Sequence, residues 1–171
     1  SCHTKSTTKP YRLEILESNS KDNLKKETTI LSIPAKFLNI KKSRYSNTPL
    51  RIGPGYNYPL AHELLNEQAE YLFLDNYKNW IKILNLDSKN QGWVKKKHMI
   101  NIIKSNGKYS LKVSDLPIVI SLKKNSLIRS FDKKNIIKKN IPKGSHFISL
   151  NNSKKEKLIW IQENNEIAWL Y

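Results

Sequence analysis

The sequence is poor in the residues that build cross-links, metal clusters and phosphate-binding loops. Its 171 residues include one cysteine, Cys2, which excludes an intrachain disulfide framework and a metal site with several cysteine ligands. Its five glycines form neither a Gly-x-x-x-x-Gly-Lys nor a Gly-x-Gly-x-x-Gly loop. No apolar run approaches the roughly 20 residues that a transmembrane helix needs. These absences exclude a disulfide scaffold, a nucleotide-binding loop of either type and a membrane-spanning helix from the sequence given.

Acidic residues are also scarce, and the charge is strongly positive. Lysine and arginine total 31 against 14 aspartates and glutamates, which gives a formal net charge of +17. Such a balance is typical of proteins that bind nucleic acid, anionic lipid or an acidic wall polymer. Arginine, the better residue for bidentate phosphate contacts, is rare, and lysine, asparagine and isoleucine recur together in residues 133–140. Because a base-composition bias of the genome also produces that mixture, we favour bias over a nucleic-acid role as the origin of the charge.

The titratable residues show no catalytic or metal-binding pattern. His3, His62, His98 and His146 are scattered, without the short spacing that places two imidazoles on one metal ion. A cysteine nucleophile needs a rigid base and an orienting group, and Cys2 stands in a polar terminal segment that offers neither. We therefore predict a protein that is not an enzyme, with no cofactor and no metal site.

Residues 1–29 have the composition of a flexible tail. Serine, threonine, lysine and asparagine dominate there, and few residues could support a core. Cys2 follows a small serine and precedes this polar tether, which resembles the lipidation cysteine of an exported bacterial lipoprotein. The same residue also fits an ordinary cysteine in a polar terminus, and both interpretations stay open.

From residue 30 onward, short apolar runs alternate with turn-forming clusters, which is typical of an all-β protein. Residues 80–83 alternate Trp-Ile-Lys-Ile, so Ile81 and Ile83 share one face of a strand. A short strand is also predicted over residues 109–113. The principal predicted strands are residues 35–41, 49–52, 61–65, 70–74, 80–84 and 92–95 in the first half, and 118–122, 126–130, 135–138, 145–150, 157–162 and 167–170 in the second half.

The two β-rich halves repeat one unit. We therefore predict a first domain over residues 30–100, a linker over 101–117 and a second domain over 118–171, each near the lower size limit for independent folding. The matched pieces are Leu50-Arg51 with Ile128-Arg129, residues 71–74 with 147–150, residues 80–83 with 158–161, and Gly92-Trp93-Val94 with Ala168-Trp169-Leu170.

The first repeat carries three motifs in order. An arginine at position 51 precedes Gly53-Pro54-Gly55 and a Tyr58-Pro59 pair, Trp80 precedes Ile81-Lys82-Ile83, and Gly92-Trp93-Val94 follows. With these motifs the repeat resembles a bacterial SH3 (SH3b) domain. The second repeat has Phe131-Asp132 where Gly-Pro belongs and lacks the Tyr-Pro pair, so it is similar to a degenerate copy. The resemblance implies two small SH3-like β-barrels in tandem, in an exported protein of the bacterial periplasm or cell envelope.

Loop aromatics of the first repeat are the candidate ligand-binding residues. Flat rings suit an extended peptide or a sugar face, and Arg51 suits a carboxylate. For Tyr58 the structural interpretation is the stronger of the two, because a residue before proline can fix its loop. Trp93 and Trp169 are expected to pack onto the barrel cores. The candidate ligand-binding residues are Tyr45, Arg51, Tyr56, Tyr58, Tyr77 and Trp80. The candidate structural residues are Gly53, Pro54, Gly55, Pro59, Gly92, Trp93 and Trp169.

Three functions fit these observations. The first is a binding module of the bacterial envelope whose partner is a cell-wall peptide or an envelope protein, with a membrane contact only through a lipid at Cys2. The second is a nucleic-acid binder, for which residues 95–97, three consecutive lysines beside Trp93, are the best candidate. The third is a structural subunit that docks on a larger envelope assembly through an edge strand.

Overall fold

The computed structural model describes residues 29–120, 125–151 and 156–171. The described part is all-β, which confirms the predicted fold class, and its helical elements are 3-10 turns of three residues each. It divides into two compact units, residues 29–117 and 118–171. Residues 1–28 of the predicted N-terminal tail, Cys2 included, lie outside the described residues.

The first unit contains one seven-stranded sheet and a two-stranded ribbon. All neighbouring strands are antiparallel, and the sheet order is β4-β3-β7-β6-β5-β2-β8, with β1 and β9 forming the ribbon. The strands are β1 (Ile30–Pro34), β2 (Ile40–Ser43), β3 (Pro49–Arg51), β4 (Leu60–Leu64), β5 (Tyr71–Tyr77), β6 (Trp80–Asn85), β7 (Gln91–Lys95), β8 (Met99–Ile102) and β9 (Lys108–Lys112).

Alternation along the strands places one buried cluster of this unit on one face of its sheet, while Ile40, Leu72 and Leu84 are buried on the other face. Ile81 and Ile83 point to the face of that cluster, as the sequence predicts, and both are fully buried. Val94 on β7 joins them, whereas its neighbour Trp93 points to the opposite face and stays half-exposed. The predicted packing of Trp93 onto the core is therefore wrong. The buried cluster comprises Leu50, Leu65, Ala69, Tyr71, Ile81, Ile83, Val94 and Met99.

The β1–β9 ribbon belongs to this unit, although residues 101–117 are predicted as a linker. β9 pairs with β1 over its whole length, and Ile33, Leu111 and Val113 within and beside the ribbon are fully buried. Neither β1 nor β8 is among the predicted strands. In the case of β1, the strand ends in a proline and pairs with a segment far along the chain, so the local pattern does not indicate it. The predicted strand 35–41 is a 3-10 turn over Ala35–Phe37 followed by β2.

A carboxylate anchors this ribbon to the sheet. Glu70 stands just before β5, and its Oε1 forms an ion pair with Lys104 at 2.7 Å. The Tyr109 hydroxyl of β9 donates to its Oε2. Burial opposes ionisation of Glu70, but these two hydrogen bonds outweigh it and lower its pKa. Lys89 reaches the same ribbon from the sheet, donating from Nζ to the Ser110 carbonyl oxygen at 3.1 Å.

The second unit has six strands around a smaller core. The order is β12-β11-β15-β14-β13-β10, with every pair antiparallel. The strands are β10 (Ile118–Ile120), β11 (Ser126–Ser130), β12 (Ile136–Ile141), β13 (His146–Ser149), β14 (Lys157–Ile161) and β15 (Glu166–Leu170). The buried cluster comprises Ile128, Ile141, Phe147, Ile159, Ala168 and Leu170.

The two sheets have the same topology. The order β4-β3-β7-β6-β5-β2 in the first unit matches β12-β11-β15-β14-β13-β10 in the second, strand for strand. The register agrees as well, since Arg51 lies opposite Trp93 and Arg129 lies opposite Trp169. The predicted internal repeat is thus confirmed in strand order.

The register corrects one detail of the predicted repeat. Lys82 lies opposite Trp93, and Leu158 lies opposite Trp169. With the two tryptophans superposed, Leu158 therefore corresponds to Lys82, and the predicted match of Leu158 with Trp80 is displaced by two residues. A two-residue slip keeps the inward and outward faces unchanged, which is why hydrophobic alternation alone did not detect it.

Candidate binding surface

The outer face of β3, β6 and β7 alternates aromatic and cationic side chains. Trp80 lies directly opposite Lys95, Lys82 lies opposite Trp93, and Trp93 also lies opposite Arg51. Directly opposed residues in a sheet project to the same side. Three neighbouring strands thus present rings and positive charges side by side, on the face opposite the core.

Tyr56, in the loop between β3 and β4, completes this surface. Its ring meets the Trp80 ring edge-on at a centroid distance of 5.0 Å, and Lys95 Nζ lies 5.4 Å from the Tyr56 centroid and 5.1 Å from that of Trp80. Tyr56 is 65% exposed, whereas Trp80 is 8% exposed. Trp80 therefore packs beneath Tyr56 and offers little surface to a ligand, whereas the Tyr56 ring is accessible. We call this surface the aromatic–cationic face, comprising Arg51, Tyr56, Trp80, Lys82, Trp93 and Lys95.

Arg51 holds the β3–β4 loop in place. Its Nη1 donates to the carbonyl oxygens of Tyr56 at 3.1 Å and Tyr58 at 2.9 Å, and its guanidinium carbon lies 5.2 Å from the Tyr56 ring centroid. Nη1 of Arg51 is thus engaged in positioning the loop, and the binding of a carboxylate by Arg51 stays a prediction. Lys95 stacks beside the same ring and, like Arg51 and Lys82, is half-buried.

Gly53 is required for space, whereas Gly55 is crowded only by the tip of a flexible side chain. A Cβ on Gly53 would lie 2.2 Å from Cδ1 of Tyr58, and one on Gly55 would lie 2.5 Å from Oδ1 of Asn57. Neither glycine has a φ in the left-handed range, so the backbone angles of this loop do not themselves require glycine. Tyr58 lies flat against Gly53 and fixes the loop, which supports its structural interpretation.

Further contacts close the loop and the sheet beneath it. Gly55 N–H donates to the Gly53 carbonyl oxygen at 2.9 Å, which folds the turn around Pro54, and Ile52 N–H donates to the Pro59 carbonyl oxygen at 3.0 Å. Under the loop, a Cβ on Gly92 would lie 2.7 Å from Cβ of Leu50. Gly92 therefore lets β7 approach β3 closely.

Tyr77 and Tyr45 lie at different distances from this face. Tyr77 is directly opposite Trp80 in the β5–β6 hairpin and is 51% exposed, so it borders the face. Tyr45 is 54% exposed and meets His98 edge-on, with centroids 5.6 Å apart. It has no described contact with the Tyr56–Trp80 pair, and we leave it outside the face.

A depression lies beside the face, at the end of β7. Its volume is about 470 Å³, and it is lined by Asn79, Lys95, Lys96 and Lys97. Lys96 N–H donates to the Asn79 carbonyl oxygen at 2.8 Å, which fixes the β5–β6 turn against the 3-10 turn Lys96–His98. We call this feature the lysine depression.

The lysine depression has an uncompensated positive potential. Within the described residues, the ion pairs are Lys104–Glu70 and Lys133–Glu156, and neither includes a lysine of residues 95–97. Burial, and then the charges of Lys97 and Lys95, lower the pKa of His98. The charges of Lys95 and Lys97 thus act on the imidazole of His98. An anion entering the depression would meet positive charge that no described carboxylate pairs with.

The corresponding surface of the second unit is covered by its own loop. Trp169 is 5% exposed, and its Nε1 donates to the Phe131 carbonyl oxygen at 2.9 Å. The Phe131 ring stacks on it at a centroid distance of 6.4 Å, and Lys133 Nζ lies 4.4 Å above its ring. Trp169 is buried as predicted, but beneath this loop and on the face opposite the core cluster. The second unit therefore leaves its tryptophan closed where the first leaves Trp93 half-exposed.

Within residues 29–120, 125–151 and 156–171, no helix is long and apolar enough to cross a bilayer. The same described residues contain no group of three or more His, Cys, Asp and Glu side chains that could hold a metal ion. No protein-family model matches the chain, and no curated protein sequence matches it. The resemblance to SH3b domains, with its implications for location and ligand, stays a prediction based on the motifs of the first repeat.

Proposed function

We propose that the first unit is a non-enzymatic binding module of the bacterial envelope, and that its aromatic–cationic face binds peptide from the cell wall. The observation that carries this proposal is Tyr56, which is 65% exposed yet held on three sides. Trp80 supports its edge, Lys95 stacks beside it, and Arg51 fixes its backbone. A rigid exposed ring loses little conformational entropy when a ligand covers it, which favours binding.

The chemistry of the face matches the chemistry of a wall peptide. Such peptides combine short apolar side chains and neighbouring sugar rings, which pack on aromatic faces, with free carboxylates, which lysine binds. The face supplies Tyr56 and half-exposed Trp93 for the first and Lys82 and Lys95 for the second. Both parts lie on one side of the same unit, on the sheet and on the loop that Arg51 holds against it, so an extended ligand can meet them together.

Retention on purified peptidoglycan at physiological salt tests the proposal. The chain should be retained, and Tyr56→Ala should weaken binding about tenfold, the loss of one exposed aromatic anchor. Tyr45→Ala is the matched control, because Tyr45 has similar exposure but lies outside the face. Circular dichroism verifies that each variant folds. A folded wild-type chain that is not retained, or equal losses from both substitutions, would contradict the proposal.

Nucleic-acid binding is the second candidate, and the lysine depression is the observation that favours it. Phosphate contacts by Lys95, Lys96 and Lys97 would release counterions, so binding to a single-stranded oligonucleotide would fall steeply with salt. Oligonucleotide binding measured between about 50 and 200 mM salt distinguishes the two candidates. A steep salt dependence without retention on peptidoglycan would favour nucleic acid.

The envelope location is part of the same proposal and rests on the SH3b motifs and on Cys2. A lipid on Cys2 would attach the chain to a membrane through a polar tether. Cell fractionation of the wild-type chain and of Cys2→Ser, each expressed behind the same bacterial lipoprotein signal peptide, checks this. Wild type in the membrane fraction and Cys2→Ser in the soluble fraction is the expected result.

A further inference from the structure

We propose that the lysine depression binds a carboxylate group of the same ligand and so selects wall peptides with free carboxylates. This inference rests on the proposed function. Its basis is the junction between the two features: Lys95 stacks on Tyr56 and Trp80 and also lines the depression. A peptide lying across Tyr56 therefore reaches the depression without a gap.

The residues around the depression suit a single compact anion. Lys96 and Lys97 are exposed, so each ammonium can rotate toward a ligand, and Asn79 is exposed beside them. An ammonium donates up to three hydrogen bonds, and charge-assisted bonds to a carboxylate are stronger than neutral ones. These donors line one depression of about 470 Å³.

This arrangement favours a peptide carboxylate over a nucleic acid. A nucleic-acid strand presents phosphates at regular intervals and is bound by a groove that follows its backbone. The lysines of residues 95–97 instead border one depression next to one aromatic cluster. The arginine of the face, Arg51, uses Nη1 to hold its own loop, and it is lysine that faces the ligand.

The experiment compares two probes and two variants. The probes are a synthetic wall stem peptide with free carboxylates and the same peptide with its carboxylates amidated, each titrated into the folded chain and followed by NMR. The test variant is Lys96→Gln/Lys97→Gln. The matched control is Lys108→Gln/Lys112→Gln, which removes the same charge from exposed positions of β9 in the same unit.

The free-carboxylate peptide should bind wild type about tenfold more tightly than the amidated peptide, consistent with one or two charge-assisted hydrogen bonds. Lys96→Gln/Lys97→Gln should remove that difference, and Lys108→Gln/Lys112→Gln should preserve it. Equal binding of the two peptides to wild type, with Tyr56→Ala still weakening both, would overturn the carboxylate site and leave the proposed function standing. Failure of both peptides to bind wild type would overturn both. An oligonucleotide whose binding alone is lost in Lys96→Gln/Lys97→Gln would also overturn the carboxylate assignment.

Discussion

The β3–β4 loop provides a sharp test of how this surface is built, through Gly53→Ala. The added Cβ would lie 2.2 Å from Cδ1 and 2.5 Å from Cγ of Tyr58, far inside van der Waals contact. Because the clash includes Cγ, relief requires either a new χ1 rotamer of Tyr58 or a shift of the loop backbone, which Arg51 holds at the Tyr58 carbonyl oxygen at 2.9 Å. Overpacking of this kind costs about 1–3 kcal/mol, and we expect Gly53→Ala to lower the free energy of unfolding by that amount.

A double-mutant cycle isolates the clash. In a Tyr58→Ala background the added methyl group has room, so Gly53→Ala should cost about 1 kcal/mol less than it does in wild type. Urea unfolding followed by tryptophan fluorescence measures each variant. Gly55→Ala is the control, because its Cβ would be 3.4 Å from the Tyr58 ring, an ordinary contact, and its closer neighbour is the tip of the exposed Asn57 side chain.

Additive effects of Gly53→Ala and Tyr58→Ala would refute the steric explanation of this loop.

The Gly53→Ala variant also links stability to binding. None of the loop residues belongs to the buried cluster of the unit, so Gly53→Ala should leave the barrel folded while displacing Tyr56, which the same arginine fixes. Retention on peptidoglycan should therefore fall even in conditions where the chain is fully folded.

Two further predictions concern stability. Glu70→Gln weakens the anchor to Lys104 and Tyr109. The folded-state pKa of Glu70 lies below its ordinary value of 4.5. The stability that the Glu70 carboxylate adds should therefore be complete above pH 4.5 and lost as the pH falls through the folded-state pKa. Urea unfolding of both proteins at several pH values checks this, and a difference that persists in strong acid would contradict it. Trp169→Phe removes the donor to the Phe131 carbonyl oxygen and should cost about 1–3 kcal/mol; an unchanged urea midpoint would contradict the closed loop of the second unit.

Local sequence patterns were sufficient to predict most of the strands and the inner face of β6. The alternation of Ile81 and Ile83 with polar or bulky neighbours correctly predicted which side chains enter the core. The recurrence of an arginine and a tryptophan, as in Arg129 and Trp169, likewise predicted the repeated topology. The alternation depends on residues close together in the chain, where a period of two is enough to assign a face.

The candidate site was predicted only in part. Tyr56 was identified as a loop aromatic, and the structure leaves it exposed. Lys95 was noted for charge alone, and Trp93 was assigned to the core. Their two-residue spacing is the signal that places them on one outer face, but that signal becomes useful only once the strand opposite them, with Trp80 and Lys82, is known.

The sequence by itself determined the all-β class, the duplication and the outward or inward direction of most strand residues. The tertiary structure alone decided that β9 pairs with β1, that Tyr58 fills the space above Gly53, and that the loop of the second unit covers Trp169 while Trp93 stays half-exposed. The physical reason is that alternation has only local range. What covers the second face of a sheet depends on segments brought together from distant parts of the chain, and neither composition nor periodicity carries that information.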